Sequence, residues 1–166
     1  REAGGEETPL PETDVTLDIP MSAHIPGGFI PNEVQRLSAY RRIADAECED
    51  AQLLLREELE DRYGELPEEV ENLFLLAKIK QLAKRAYIGL VTVRDGEAKL
   101  SFLPDAPLDG GKLLGAVSNF LGAQLLASEP PAVRIRQKNV DAAALARKLP
   151  QFIYTIVHCV DAPERI

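Results

Sequence analysis

Glu57, Glu58, Glu60 and Asp61 place four carboxylates within five positions, a density that could hold a hard cation or form an acid/base pair. A calcium site needs oxygen ligands converging from a loop, and general acid–base work needs a partner base within reach. This stretch offers neither. Gly111-Lys112 is followed by Leu113 in place of Ser or Thr, so it builds no phosphate-cradling loop. His158 and Cys159 are adjacent, and neighbouring side chains of a strand point to opposite faces, which makes a poor nucleophile–base pair. His24, His158, Cys48 and Cys159 show no metal-ligand spacing. No catalytic constellation emerges, and neither a cofactor nor a metal is expected in this domain.

The same acidic stretch gives a surface. Leu55, Leu59 and Tyr63 recur at helical spacing and mark a buried face. About 100° round the helix lie Leu54, Glu58, Asp61 and Arg62, at i, i+4, i+7 and i+8. A leucine that cannot also face the core, two acids and a base form a mixed strip suited to docking. Glu58 and Arg62 are one turn apart, so in the free domain they are expected to pair with each other for only ~0.3–0.5 kcal/mol. Gly64 supplies the left-handed turn that ends this helix, and Pro67 suits the first turn of the next.

Residues 1–14 are rich in Glu, Gly, Thr and Pro with little to bury, and read as a disordered acidic linker. Residues 15–166 read as one domain, within the prior of about 100–200 residues per domain. Val15–Ile19 alternates as a strand, and Pro20 places it at an edge or bulge. Asn32 with Gln35 predicts a capping box, opening a first helix that buries Val34, Leu37, Tyr40 and Ala44 and stops near Ala46. The third helix, Pro67 to about Ala86, is apolar nearly all round, with a wet arc of Glu71, Lys78, Gln81 and Arg85. Such a helix is sandwiched between layers, here the first two helices and a sheet.

Asp95-Gly96 predicts a two-residue hairpin that pairs Arg94 with Glu97, Val93 with Ala98, Thr92 with Lys99, Val91 with Leu100 and Gly89 with Phe102. A helix from Asp109 to about Leu121 should bury Leu113, Leu114, Val117 and Phe120. A second hairpin joins Gln124–Ser128 to Val133–Gln137. Asp141 caps a helix Ala142–Leu149 before Pro150, and the β-branched run Phe152 to Val160 reads as a strand. The expected fold is α+β: an N-terminal strand, three consecutive helices, then antiparallel hairpins with one or two further helices.

Residues 1–65 carry 6 bases and 16 acids, a balance of −10, whereas residues 66–166 carry 13 bases and 11 acids, a balance of +2. The acidic half suits a basic protein surface better than a phosphate backbone. Two cysteines without secretory features indicate a reducing cytosol. No apolar run reaches the roughly 20 residues that span a bilayer. The chain opens on Arg1 and is expected to be a piece of a longer protein.

Between Phe29 and Gly89 the blocks Phe-Ile-Pro, Arg-Leu-Ser-Ala-Tyr-Arg-Arg-Ile-Ala, Leu-Glu-Asp-Arg-Tyr-Gly-Glu-Leu-Pro and Ala-Lys-Ile-Lys-Gln-Leu-Ala follow one another. In order and spacing this third of the chain resembles the C-terminal domain of bacterial transcription–repair coupling factors. The resemblance implies a parent that uses ATP and magnesium to translocate on DNA, displaces stalled RNA polymerase and recruits the damage-recognition ATPase of nucleotide excision repair, in the bacterial cytoplasm. Within that scheme the C-terminal domain is a non-catalytic regulator, docked on the N-terminal module that binds the repair ATPase and masking it. The family's Glu-x-x-Asp-Arg docking pattern falls on Glu58, Asp61 and Arg62, the strip already separated by helix geometry. Its final segment is more often a charged amphipathic helix, from which Phe152–Val160 departs. Two other readings compete: a nucleic-acid contact through Lys78, Lys80, Lys84 and Arg85, and a small enzyme whose site is not legible.

Overall fold

The computed structural model describes residues 15–161; the expectations for residues 1–14 lie outside them. The order of elements is β1 (Thr16–Asp18), α1 (Glu33–Asp45), α2 (Glu49–Tyr63), α3 (Glu68–Arg85), β2 (Ile88–Arg94), β3 (Glu97–Phe102), α4 (Gly110–Ser118), β4 (Ala123–Leu126), β5 (Ala132–Arg136) and α5 (Ala142–Val157). The five strands form one sheet in the order β1-β2-β3-β5-β4. The α+β fold is as the sequence implies.

Helix α3 belongs to two cores at once. Its first half gives Val70 and Phe74 to a cluster with Ile25, Ile30, Ala39, Ile43, Leu55 and Leu59. Its second half gives Ile79, Leu82 and Ala83 to a larger cluster under the sheet, which holds Leu100, Phe102, Ile135 and the apolar face of α5. A helix apolar nearly all round is satisfied by this sandwich.

The β2–β3 hairpin turns through Asp95 and Gly96, both at positive φ (48° and 77°), the backbone of a type I′ turn. Four predicted pairs form, from Arg94↔Glu97 to Val91↔Leu100. The fifth does not. A register irregularity at Gly89 pairs Ile88 with Phe102, so that a β-branched side chain and not a glycine meets the buried phenyl ring. β1 pairs parallel with β2, which makes the sheet mixed. Its chain leaves through three helices before returning, and such a long crossover is what parallel neighbours need.

Further expectations fail in instructive ways. In α1 the buried residues are Ala39 and Ile43, whereas Val34 and Leu37 are 75% and 55% exposed and Ala44 is also on the surface. Two polar anchors turn the helix away from the predicted stripe: the Ile25 N–H donates to the Tyr40 hydroxyl (2.7 Å), and Arg36 Nη1 donates to the Ile30 carbonyl (2.8 Å). Asn32 caps this helix through the Gln35 N–H (2.9 Å), but Gln35 does not close the box; its Oε1 accepts from the Tyr63 hydroxyl (3.0 Å).

In α4, Leu113 and Val117 are buried but Leu114 is exposed. The helix stops at Ser118, which lets Phe120 fold back with its ring centroid 4.7 Å from that of Phe152.

The predicted strand Phe152–Val160 is helical up to Val157, because α5 runs through Pro150. Leu145, Ala146, Leu149, Phe152, Ile153 and Ile156 are all buried, a stripe of helical period that does not alternate as a strand would. Burial of that stripe overrides both β-propensity and the hydrogen bond that Pro150 cannot donate.

These assignments predict opposite outcomes for similar truncations. Ile79→Ala should cost about 2–5 kcal/mol, whereas Val34→Ala and Leu37→Ala should stay within roughly ±0.5 kcal/mol. Urea denaturation measures both.

Candidate docking surface

Helices α1 and α2 form an antiparallel pair. Gln35 near the start of α1 meets Tyr63 at the end of α2, and Arg42 near the end of α1 meets Glu58. Cys48 caps α2 by accepting the Ala51 N–H at its Sγ (3.4 Å), and Gly64 ends the helix at φ 98°. Leu55 and Leu59 are 4% and 3% exposed, as their spacing implies. Tyr63 is half-buried, with its ring centroid 5.6 Å from that of Phe29.

With those residues committed inward, the strip stands out on the other side. Leu54 is 67% exposed, Asp61 and Arg62 are exposed, and Glu58 is half-buried. Glu58 does not pair with Arg62. Arg42 grips it with both arms, Nη1 to Oε2 at 2.7 Å and Nη2 to Oε1 at 2.8 Å. This planar fork outcompetes a single contact along one helix. Arg62 instead lies over the Tyr63 ring, 5.5 Å from its centroid. The Arg42 hydrogen bonds, helped by the charges of Arg42 and Arg62, hold the Glu58 carboxyl below its ordinary range; the same hydrogen bonds, helped by the Glu58 charge, hold the Arg42 guanidinium above its own. Arg42 was not legible as a site residue, because its role depends on the register between two helices.

The remaining sequence candidates are dispersed. Glu57 and Glu60 point to solvent, and no group of three or more metal-binding side chains occurs among the described residues. Lys112 follows the cap of α4, where the Asp109 carboxylate accepts the Lys112 N–H (3.0 Å) and puts negative charge where a phosphate would need to sit. His158 is exposed just beyond α5, with Nδ1 3.0 Å from the Tyr154 carbonyl. Cys159 is buried, its thiol directed to the Thr155 carbonyl (3.5 Å), and burial pushes that thiol up from its ordinary value. His24 is exposed ahead of the helices.

Lys78, Lys80, Lys84 and Arg85 do not share a face. At 100° per residue, Lys78 and Arg85 lie about 20° apart and Lys80 and Lys84 about 40° apart, with the two pairs separated by roughly 100–160° round α3. Lys78 also faces Glu49 at 3.5 Å. A cleft of about 320 Å³ beside it is bordered by Arg56, which pairs with Glu71 at 2.6 Å. Among the described residues no helix is long and apolar enough to cross a membrane.

The Arg42–Glu58 pair has a checkable pH signature. Because the Glu58 pKa is depressed in the folded state, the pair contributes fully above the ordinary carboxylate range and is lost as pH falls through the lowered value. An NMR titration of the Glu58 carboxyl should show a midpoint that rises in the Arg42→Gln variant.

The model of the TRCF domain family matches residues 19–113, more than half of the chain. A transcription-repair-coupling factor of Myxococcus xanthus is 31% identical over 148 residues, covering 89% of this chain and 12% of the relative. That of Bacillus subtilis is 27% identical over 126 residues (75% and 11%), and that of Escherichia coli 36% over 85 residues (51% and 7%). The chain therefore spans about an eighth or less of the length of these relatives. A crystal structure of the C-terminal domain of a transcription-repair coupling factor superposes with a TM-score of 0.82, covering 91% of this chain and 96% of that one. At 19% identity that likeness speaks to the fold, and it agrees with the strand–three-helix–hairpin order described above. With the family model spanning α1 to α3 and the first hairpin, the chain belongs to the TRCF domain family.

Proposed function

We propose that this domain is a non-catalytic docking module of a longer transcription–repair coupling factor, a bacterial cytoplasmic protein. It binds the N-terminal module of the same protein through Leu54, Glu58, Asp61 and Arg62, and so masks that module from the damage-recognition ATPase of excision repair. ATP, magnesium, DNA translocation and the engagement of RNA polymerase belong to the other parts of that longer chain. The observation that carries the reading is the division of labour on α2. Leu55 and Leu59 hold the fold, while Leu54, Asp61 and Arg62 are presented on a rigid helix without a place in either core.

The partner surface is basic and contains arginine, to complement a half-chain with a balance of −10. Such a charge matters little while exposed, and more once the partner removes water from it: truncating one side of a desolvated pair costs about 2–5 kcal/mol.

Substituting Glu58, Asp61 and Arg62 by Ala together should leave the circular dichroism of the domain unchanged. In the full-length protein the same triple variant should bind the repair ATPase more tightly than the parent. Leu59→Ala serves as the contrast, lowering stability by about 2–5 kcal/mol through the core. A folded triple variant whose affinity for the repair ATPase equals that of the parent removes this strip as the mask. The isolated domain should also neither hydrolyse ATP nor shift duplex DNA in a gel at physiological salt.

A further inference from the structure

The helices cover one side of the sheet, burying Val91, Val93, Leu100, Val133 and Ile135. On the other side stand Arg94, Glu97, Lys99, Arg134 and Arg136, all exposed or half-buried. Two of the cations there are neutralised: Arg94 by Asp18 at 2.6 Å and Arg136 by Glu97 at 2.9 Å. The other two oppose each other directly, since Lys99 pairs with Arg134 in the β3–β5 ladder. Like charges directly opposite on neighbouring strands are destabilising. Neither has an acidic partner among the described residues. Arg134 Nη2 donates to Gln124 Oε1 at 2.8 Å, and its Nε is buried with no acceptor. Two adjacent cations thus face each other on this side of the sheet.

We propose that this sheet face docks the acidic segment 1–14 of the same chain. That segment carries five acids (Glu2, Glu6, Glu7, Glu12 and Asp14) and one base (Arg1), a balance of −4. It enters the fold at β1, the edge of the sheet, two strands from β3 and three from β5. At about 4.8 Å per strand this is ~10–15 Å. Extended chain spans about 3.3 Å per residue, so Glu12 reaches ~13 Å from Thr16 and Glu7 reaches farther. The face has no outward aromatic side chain among the described residues on which a nucleotide base could stack. The formal charge of −8 on the chain also repels a polyanion, whereas a tethered carboxylate arrives at high effective concentration.

The test uses the whole 166-residue chain carrying Cys48→Ser and Glu7→Cys, with a nitroxide attached at position 7. Cys159 is buried, and serine is itself a good helix cap at position 48. Paramagnetic broadening should erase the Thr92, Lys99 and Arg134 amide signals at about 0.1 M salt. It should release them at about 1 M, where the screening length falls from about 10 Å to about 3 Å. Adding Lys99→Glu and Arg134→Glu should restore the signals at the lower salt within a still-dispersed spectrum. Broadening centred on another face, or unchanged in the double variant, overturns the proposal. So do sheet amides that ignore the label yet shift when a short DNA duplex is added, which assigns the face to nucleic acid.

Discussion

Everything in this domain depends on the burial of α3 from both sides. Val70 and Phe74 close the core of the α1–α2 pair, and Ile79, Leu82 and Ala83 close the core of the sheet. Neither layer has an apolar face complete without that helix, so the hydrophobic term that stabilises the sheet also fixes where α2 lies. The exposed strip of α2 inherits its rigidity from this arrangement. Arg56 adds to the tie, pairing with Glu71 at 2.6 Å while lying 5.1 Å over the Phe74 ring.

How much of this was legible depended on whether a signal was local. The Asp95-Gly96 turn and the Asn32 and Asp141 caps are written in neighbouring residues, and each appears as expected. The core face of α2 was equally readable, because Leu55 and Leu59 repeat without a competing apolar stripe. For α1 two stripes competed, and the choice between Val34–Leu37 and Ala39–Ile43 was made by Tyr40 and Arg36 reaching to residues outside the helix. The C-terminal run misled for a similar reason. Its composition favoured a strand, but the burial pattern on both sides of Pro150 could be satisfied only by a helix.

The candidate site divides along the same line. Helix geometry separated Leu54, Glu58, Asp61 and Arg62 from the core without knowledge of the fold, since one helix is enough to define a face. It could not say which of those charges would be engaged inside the domain. Arg42 occupies both oxygens of Glu58, so Asp61 is the strip's acid with its carboxylate still open to solvent among the described contacts. Pairing across two helices is tertiary information, and a sequence read one segment at a time does not contain it.

The two ends of the sheet carry a different consequence. β1 has three residues and β4 four, and Pro20 and Pro130-Pro131 follow them closely. A stranger's strand needs a run of unpaired amides and carbonyls to add to, and prolines withhold the amides. Short, proline-bounded margins therefore guard this domain against edge-to-edge aggregation, a hazard that grows when a mixed sheet assembles slowly from distant parts of the chain.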